Sequence, residues 1–316
     1  TRREFLKLSA MSATLAAFGN KWLAFHAGTE DLSHMDILLQ NDTFIIGFHP
    51  QNGNLTILKR AGDAYDTNYL LGHGLGTVEM HYRVGAREWQ QASSVLTKDT
   101  RQIEYDDPDS PTEATIRFDT DSSKAQGIKD FSLVEHFKLE ASALRWTLTF
   151  TNRTPEIVEI GDLGLPILFN TRYVRDTIET YTQRVIRHSW VSGDGSFMCL
   201  MRPNAEGPYL VMTPLSGTHL EYYTRSDGDG SWEGIYTAYI HSAHVAEQEM
   251  RGSWRQPRTG AVLQPAGHDG DTITYGFQLR WAMDYDAVRE VLHSEGLFDI
   301  HVIPGMTIPR DLEARI

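Results

Sequence analysis

The stretch Phe131-Ser132-Leu133-Val134-Glu135-His136-Phe137-Lys138-Leu139-Glu140-Ala141-Ser142-Ala143-Leu144-Arg145-Trp146-Thr147-Leu148-Thr149-Phe150-Thr151-Asn152 decides the fold. In its second half Leu144, Trp146, Leu148 and Phe150 fall on every other residue, with Arg and Thr between them. A period of two places all four side chains on one face of an extended strand. The pair Phe131 to Glu140 and Ala143 to Asn152, joined around Ala141-Ser142, therefore predicts a long antiparallel hairpin with one buried face.

The same alternation recurs on both sides of this hairpin, in Val78, Met80, Tyr82 and Val84 and again in Tyr275, Phe277, Leu279 and Trp281. Turn-forming runs punctuate the strands, among them Gln51-Asn52-Gly53-Asn54, Asp106-Asp107-Pro108-Asp109 and Gly267-His268-Asp269-Gly270-Asp271. Strands with one apolar face must stack in pairs of sheets. The expected fold is mainly β, a large antiparallel two-sheet supersandwich with one or two short helices. The clearest helix opens at Asp284 as N-cap, carries Val288, Val291 and Leu292 on one face and stops at Gly296. No fixed-period repeat or Ser/Pro-rich linker interrupts the pattern, so residues 31–303 are expected to form one domain.

A formal charge of −13, with no basic run after the first seven residues, disfavours nucleic acid and anionic lipid as partners. An uncharged glycan suits such a surface. Cys199 is the only cysteine, so no intramolecular disulfide is available, and its neighbours Met198 and Leu200 mark it as a small buried hydrophobe.

Thr1-Arg2-Arg3-Glu4-Phe5-Leu6-Lys7 resembles the twin-arginine export motif, with Arg2, Arg3, Phe5, Leu6 and Lys7 at its positions. The Ala-rich Leu8 to Phe18 behind it is shorter than the roughly 20 apolar residues of a membrane span. Residues 1–30 are thus expected to be a signal handled by the twin-arginine export machinery, and the protein to be periplasmic or extracellular. At the other end, Val302-Ile303-Pro304-Gly305-Met306-Thr307-Ile308-Pro309 has the composition of an extended connector. The chain opens on Thr rather than Met, and a longer protein is expected.

Two stretches carry a family resemblance. Asn41-Asp42-Thr43-Phe44-Ile45-Ile46-Gly47-Phe48 with Gly53-Asn54-Leu55-Thr56-Ile57-Leu58 resembles the opening hairpin of galactose-mutarotase-like β-supersandwich domains. Leu148 to Asn152 followed by Ile157-Val158-Glu159-Ile160-Gly161-Asp162-Leu163-Gly164-Leu165-Pro166 resembles their central strand pair. The chain is thereby similar to the N-terminal sandwich of a secreted six-hairpin glycosidase-like family, in which an α/α toroid follows and carries the acid and base carboxylates. The resemblance implies that residues 304–316 lead towards such a toroid. It also implies a role as the sandwich portion of an exported glycoside hydrolase acting on a poly- or oligosaccharide. A non-catalytic glycan-binding module and a self-contained mutarotase or epimerase are the alternatives.

Catalytic residues are not assigned by the sequence, since hydrolysis needs two carboxyl groups at a set separation and many carboxylates are available. Asp162, Glu221, Asp229 and Glu233 adjoin apolar or aromatic residues that can raise a pKa. Candidate sugar contacts are Trp190 beside His188, Glu221 before Tyr222-Tyr223, Trp232 and Glu233 in the loop Ser226 to Gly234, and His241. In mutarotases a His and a Glu open the sugar ring, and the resemblance offers His188 or His241 with Glu221 or Glu233 for those parts. The oxygen-rich loop Ser226 to Gly234 has Trp232 where an EF-hand needs Gly, so calcium is not expected. His241 and His244 are three residues apart in a strand-like segment and should face opposite sides, so neither a metal nor any other cofactor is expected.

Overall fold

The computed structural model describes residues 37–50, 53–72, 74–94, 102–118, 128, 130–171, 174–191, 193, 195–225, 236–248 and 258–297. All belong to one compact unit, Asp36–Ile316; the other unit, Thr1–Met35, lies outside the described residues, and with it the export motif.

In chain order the strands are β1 (Ile37–Gln40), β2 (Phe44–Phe48), β3 (Leu55–Arg60), β4 (Glu79–Val84), β5 (Gln90–Ser93), β6 (Gln102–Tyr105), β7 (Glu113–Phe118), β8 (Phe131–Leu139), β9 (Leu144–Asn152) and β10 (Val158–Ile167). Helix α1 (Thr177–Gln183) precedes β11 (Ile186–Trp190), β12 (Phe197–Met201), β13 (Tyr209–Pro214), β14 (Tyr222–Arg225) and β15 (Tyr236–Ser242). Helix α2 (Ala243–Gln248), β16 (Ala261–Leu263), β17 (Thr272–Ala282) and helix α3 (Tyr285–Ser294) complete the described chain.

Every pairing among these strands is antiparallel. An eight-stranded sheet runs β11-β12-β13-β17-β9-β8-β7-β6. A six-stranded sheet runs β14-β15-β10-β4-β5, with β16 also on β10, and β1-β2-β3 form a third. The eight-stranded sheet is the floor on which both smaller sheets pack. Tyr82 of β4 meets Phe131 of β8 edge-on at 4.7 Å, and Phe48 of β2 meets Phe137 of β8 at 5.1 Å. These edge-on contacts suit the ring quadrupoles and lock the layers against sliding.

The alternation in the sequence is thereby realised. Leu144, Trp146, Leu148 and Phe150 are all buried, as are Val78, Met80, Tyr82 and Val84. The decisive hairpin is β8 and β9, paired from Phe131 with Asn152 to Leu139 with Leu144 and closed by the Glu140 N–H donating to the Ala143 carbonyl at 2.8 Å. Its second strand and β10 are not a pair: each is central to its own sheet, because the five residues between them carry the chain across the sandwich. Helix α3 begins as expected, the Asp284 carboxylate accepting from Ala287 N–H at 2.8 Å, and ends before Gly296 at φ 72°, which glycine adopts without strain. Its Val288 and Leu292 cover Cys199, Tyr209 and Val211 on the outer face of the large sheet. Burial there pushes the Cys199 thiol up to about 12, far from the thiolate range.

Candidate functional site

At the end of β15 the chain places a polar group on each face of the six-stranded sheet. His241 pairs with Leu163 and turns inward, across the sandwich, to Tyr275 of β17. Ser242 pairs with Asp162 and turns the other way. Between them Glu221, just before β14, is buried and satisfies several donors. Its carboxylate accepts from Ser242 Oγ at 2.9 Å, from Thr259 N–H at 2.9 and 3.1 Å, and from the Thr259 hydroxyl. Arg258 adds a hydrogen bond to the Glu221 carbonyl at 3.1 Å and stacks its guanidinium over Tyr222 at 4.3 Å.

His241 completes this chain. Its Nδ1 is 2.8 Å from Thr259 Oγ1 and its Nε2 is 2.6 Å from the Tyr275 hydroxyl. The Thr259 hydroxyl has one proton, already given to Glu221, so it accepts from His241 Nδ1–H; Nε2 then accepts from Tyr275. The histidine is held as one neutral tautomer. Burial, helped by nearby His219, pushes its pKa down to about 4 and burial raises that of Tyr275. Two sequence candidates, Glu221 and His241, are thus brought together through Thr259, in a network whose hydrogen bonds run within the protein.

A second cluster lies on the outward face of the same sheet. Asp162 of β10 follows a bulge at Gly161, where the register against β4 shifts between Ile160 and Asp162. Its Oδ1 accepts the His81 backbone N–H at 2.8 Å, and its Oδ2 is 2.9 Å from His81 Nδ1. His244, in the first turn of α2, lays its ring at 4.6 Å from that of His81 and 4.8 Å from that of Trp89. Potential ligand atoms of His81, Asp162 and His244 all lie within 4.8 Å of one another. The hydrogen bond to Asp162 raises the pKa of His81, while burial lowers that of His244. Burial and Asp162 raise that of Glu79, on the same face of β4. His241 and His244 serve different clusters: the strand ends at Ser242, and His244 is already helical.

His188 and Trp190 stand apart from both clusters, exposed on edge strand β11. Arg187, of opposite parity, folds inward over the rings of Tyr223 and Tyr236 at 4.9 and 4.1 Å. That contact leaves Ile186, His188 and Trp190 on the outward face. Ile186 also borders an open groove of about 480 Å³, lined with Val174, Thr177, Thr180, Tyr181 and Pro203. Asp229, Trp232 and Glu233 lie outside the described residues.

Layers, register and core together define a galactose mutarotase-like β-sandwich. Within that class the chain belongs to the "Family of unknown function (DUF5695)", whose model matches residues 60–316. Among solved structures, a polysaccharide lyase is similar with a TM-score of 0.60 and 16% identity, over 81% of this chain and 34% of that one. A galactose mutarotase-like protein from Clostridium acetobutylicum gives 0.53 and 10% identity, over 79% of this chain and 96% of that one. Another from Lactobacillus casei gives 0.51 and 11%, over 78% and 100%. The chain therefore spans about a third of the lyase and corresponds to almost the whole of each mutarotase-like protein. No curated protein matches the sequence. At these identities the likeness is one of fold.

Proposed function

We propose that the chain is the β-sandwich portion of an exported carbohydrate-cleaving enzyme, in the first reading a glycoside hydrolase of poly- or oligosaccharides. The sandwich packs against a helical catalytic domain carried elsewhere in the protein and lends one wall to its cleft. The observation that carries this reading is the outward row Ile186, His188 and Trp190 on an edge strand, continuous with an apolar groove. The four residue steps from Ile186 to Trp190 span about 13 Å, enough for more than one sugar ring, and an exposed indole beside an imidazole offers a stacking face with a hydrogen-bonding neighbour.

The Glu221 and His241 pair supports the same reading from the other side. A general base needs an unshared lone pair within reach of a substrate proton. Here both ring nitrogens of His241 are engaged and the Glu221 carboxylate is held by Ser242 and Thr259, so ring opening by this pair has no accessible acceptor. The similarity to about a third of a polysaccharide lyase favours a second reading, β-elimination in place of hydrolysis by the partner domain.

The test is to express the full-length gene product and follow reducing-end release from a panel of defined oligo- and polysaccharides. Trp190→Ala should raise KM about tenfold with kcat within twofold, whereas Val262→Ser, at an exposed residue of β16, should change neither. An unchanged KM for a His188→Ala/Trp190→Ala double variant rejects the cleft-wall role. Products with a conjugated double bond assign the chemistry to elimination, and saturated products assign it to hydrolysis.

A further inference from the structure

We infer that His81, Asp162 and His244 form a binding site for one divalent transition-metal ion of the zinc class. Two imidazole nitrogens and one carboxylate oxygen are the donor set of a borderline-soft cation, distinct from the all-oxygen sets that hold calcium or magnesium. Their ligating atoms already lie within 4.8 Å of one another. Bonds of about 2.0–2.2 Å in a tetrahedral shell bring such atoms to roughly 3.4 Å, a closure of at most about 1.4 Å that rotation of the His81 and Asp162 side chains supplies.

A second observation points to a missing partner. His244 is 8% exposed, and its Nδ1 is buried without a hydrogen bond. Protein interiors rarely leave a ring nitrogen unpaired, and a group left so wants a ligand. The surroundings hold the ring where it is. Trp89 lies against it, the Arg83 guanidinium covers Trp89 at 4.7 Å, and Arg83 is itself paired with Glu159 at 2.5 Å. Gly161 makes the approach possible, since a Cβ there would stand 2.6 Å from Trp89 and 2.8 Å from His244 Cβ. Glu79 adds a further carboxylate on the same strand face, so the cluster favours a cation. Three ligands leave the fourth position to water, and the ion ties β4, β10 and α2 into one body. The inference does not depend on the carbohydrate reading.

The experiment strips the full-length protein with a chelator and titrates it with Co²⁺ and Zn²⁺. It follows the visible absorption of tetrahedral cobalt, the metal stoichiometry and the melting temperature. The expected result is one Co²⁺ per chain with tetrahedral absorption, displaced by Zn²⁺, and a melting temperature raised by several degrees. Asp162→Asn and His244→Gln should each abolish the cobalt spectrum and weaken Zn²⁺ binding at least a hundredfold, while His268→Ala, at an exposed turn, keeps both. His81→Gln, at a half-buried position, serves as a third variant should either of the others fail to fold. No stoichiometric binding by the wild type overturns the inference, as does an unaltered cobalt spectrum in the folded variants.

Discussion

Two polar clusters share one sheet, yet they are built on opposite terms. Around Glu221 the Thr259 amide and hydroxyl, the Ser242 hydroxyl and both His241 nitrogens are all engaged inside the protein. Around Asp162, by contrast, the two histidines stack and one buried nitrogen has no partner. A network closed on itself specifies structure, whereas one left short of a ligand is poised to bind. That difference separates the Glu221 and His241 pair from the residues with capacity to spare.

The sharpest way to break the contrast is to open the closed network. Glu221→Ala strands the buried Ser242 hydroxyl and takes the acceptor from the Thr259 N–H and hydroxyl, and should cost about 2–4 kcal/mol in chemical denaturation. A loss under about 0.5 kcal/mol would show that water replaces the carboxylate and that the network is not closed after all.

His241 gives the next largest effect, and a pH dependence fixes its sign. Its folded pKa is about 4 against an ordinary value of 6.5. Above pH 6.5 the ring is neutral whether folded or unfolded, and the native contacts keep their full contribution. As pH falls from 6.5 to about 4 the unfolded chain takes up a proton that the folded chain refuses, so stability drops by up to about 3 kcal/mol, then levels off. His241→Gln should flatten that window in denaturation curves taken across the pH series. A slope that survives the substitution would have to arise from other titrating groups.

These contrasts were only partly legible in the sequence. Rows of period two fixed the sheets because burial on one face forces alternation, and the Asp284 cap and Gly296 stop fixed α3 because each answers a local backbone need. Long-range convergence has no such local trace. His81, Asp162 and His244 come from three elements some eighty residues apart in turn, and only the register of β4 against β10, shifted at Gly161, aligns them. A glycine before an aspartate inside an apolar run is the one hint of that bulge. Likewise the strand parity applied to His241 and His244 stops at Ser242, where the backbone turns helical, a boundary that Ser-Ala-His does not announce.

On the open side the effect on stability should be small. His244→Gln in metal-free protein removes an unpartnered nitrogen as well as ring contacts with Trp89 and His81, and these changes oppose each other, leaving a net loss of about 1 kcal/mol or less. With Zn²⁺ present the same substitution should cost more, because the wild type alone gains the binding energy. Equal losses with and without metal would place His244 with the structural residues.

Trp190 marks the far end of the scale. It is 44% exposed on an edge strand whose inward anchor is Arg187, so Trp190→Ala should cost about 1 kcal/mol or less and leave the protein folded. Any loss of sugar binding then cannot be traced to unfolding, which is what makes the position informative. Arg187→Ala is the complement. It withdraws the cation that lies against the stacked rings of Tyr223 and Tyr236, where burial already pulls its pKa down, and lets β11 drift from β14 and β15. If the outward row works as a rigid platform, this inward substitution should weaken oligosaccharide binding although it touches no sugar. Binding by Arg187→Ala equal to the wild type, measured by titration calorimetry, would show that Trp190 acts alone.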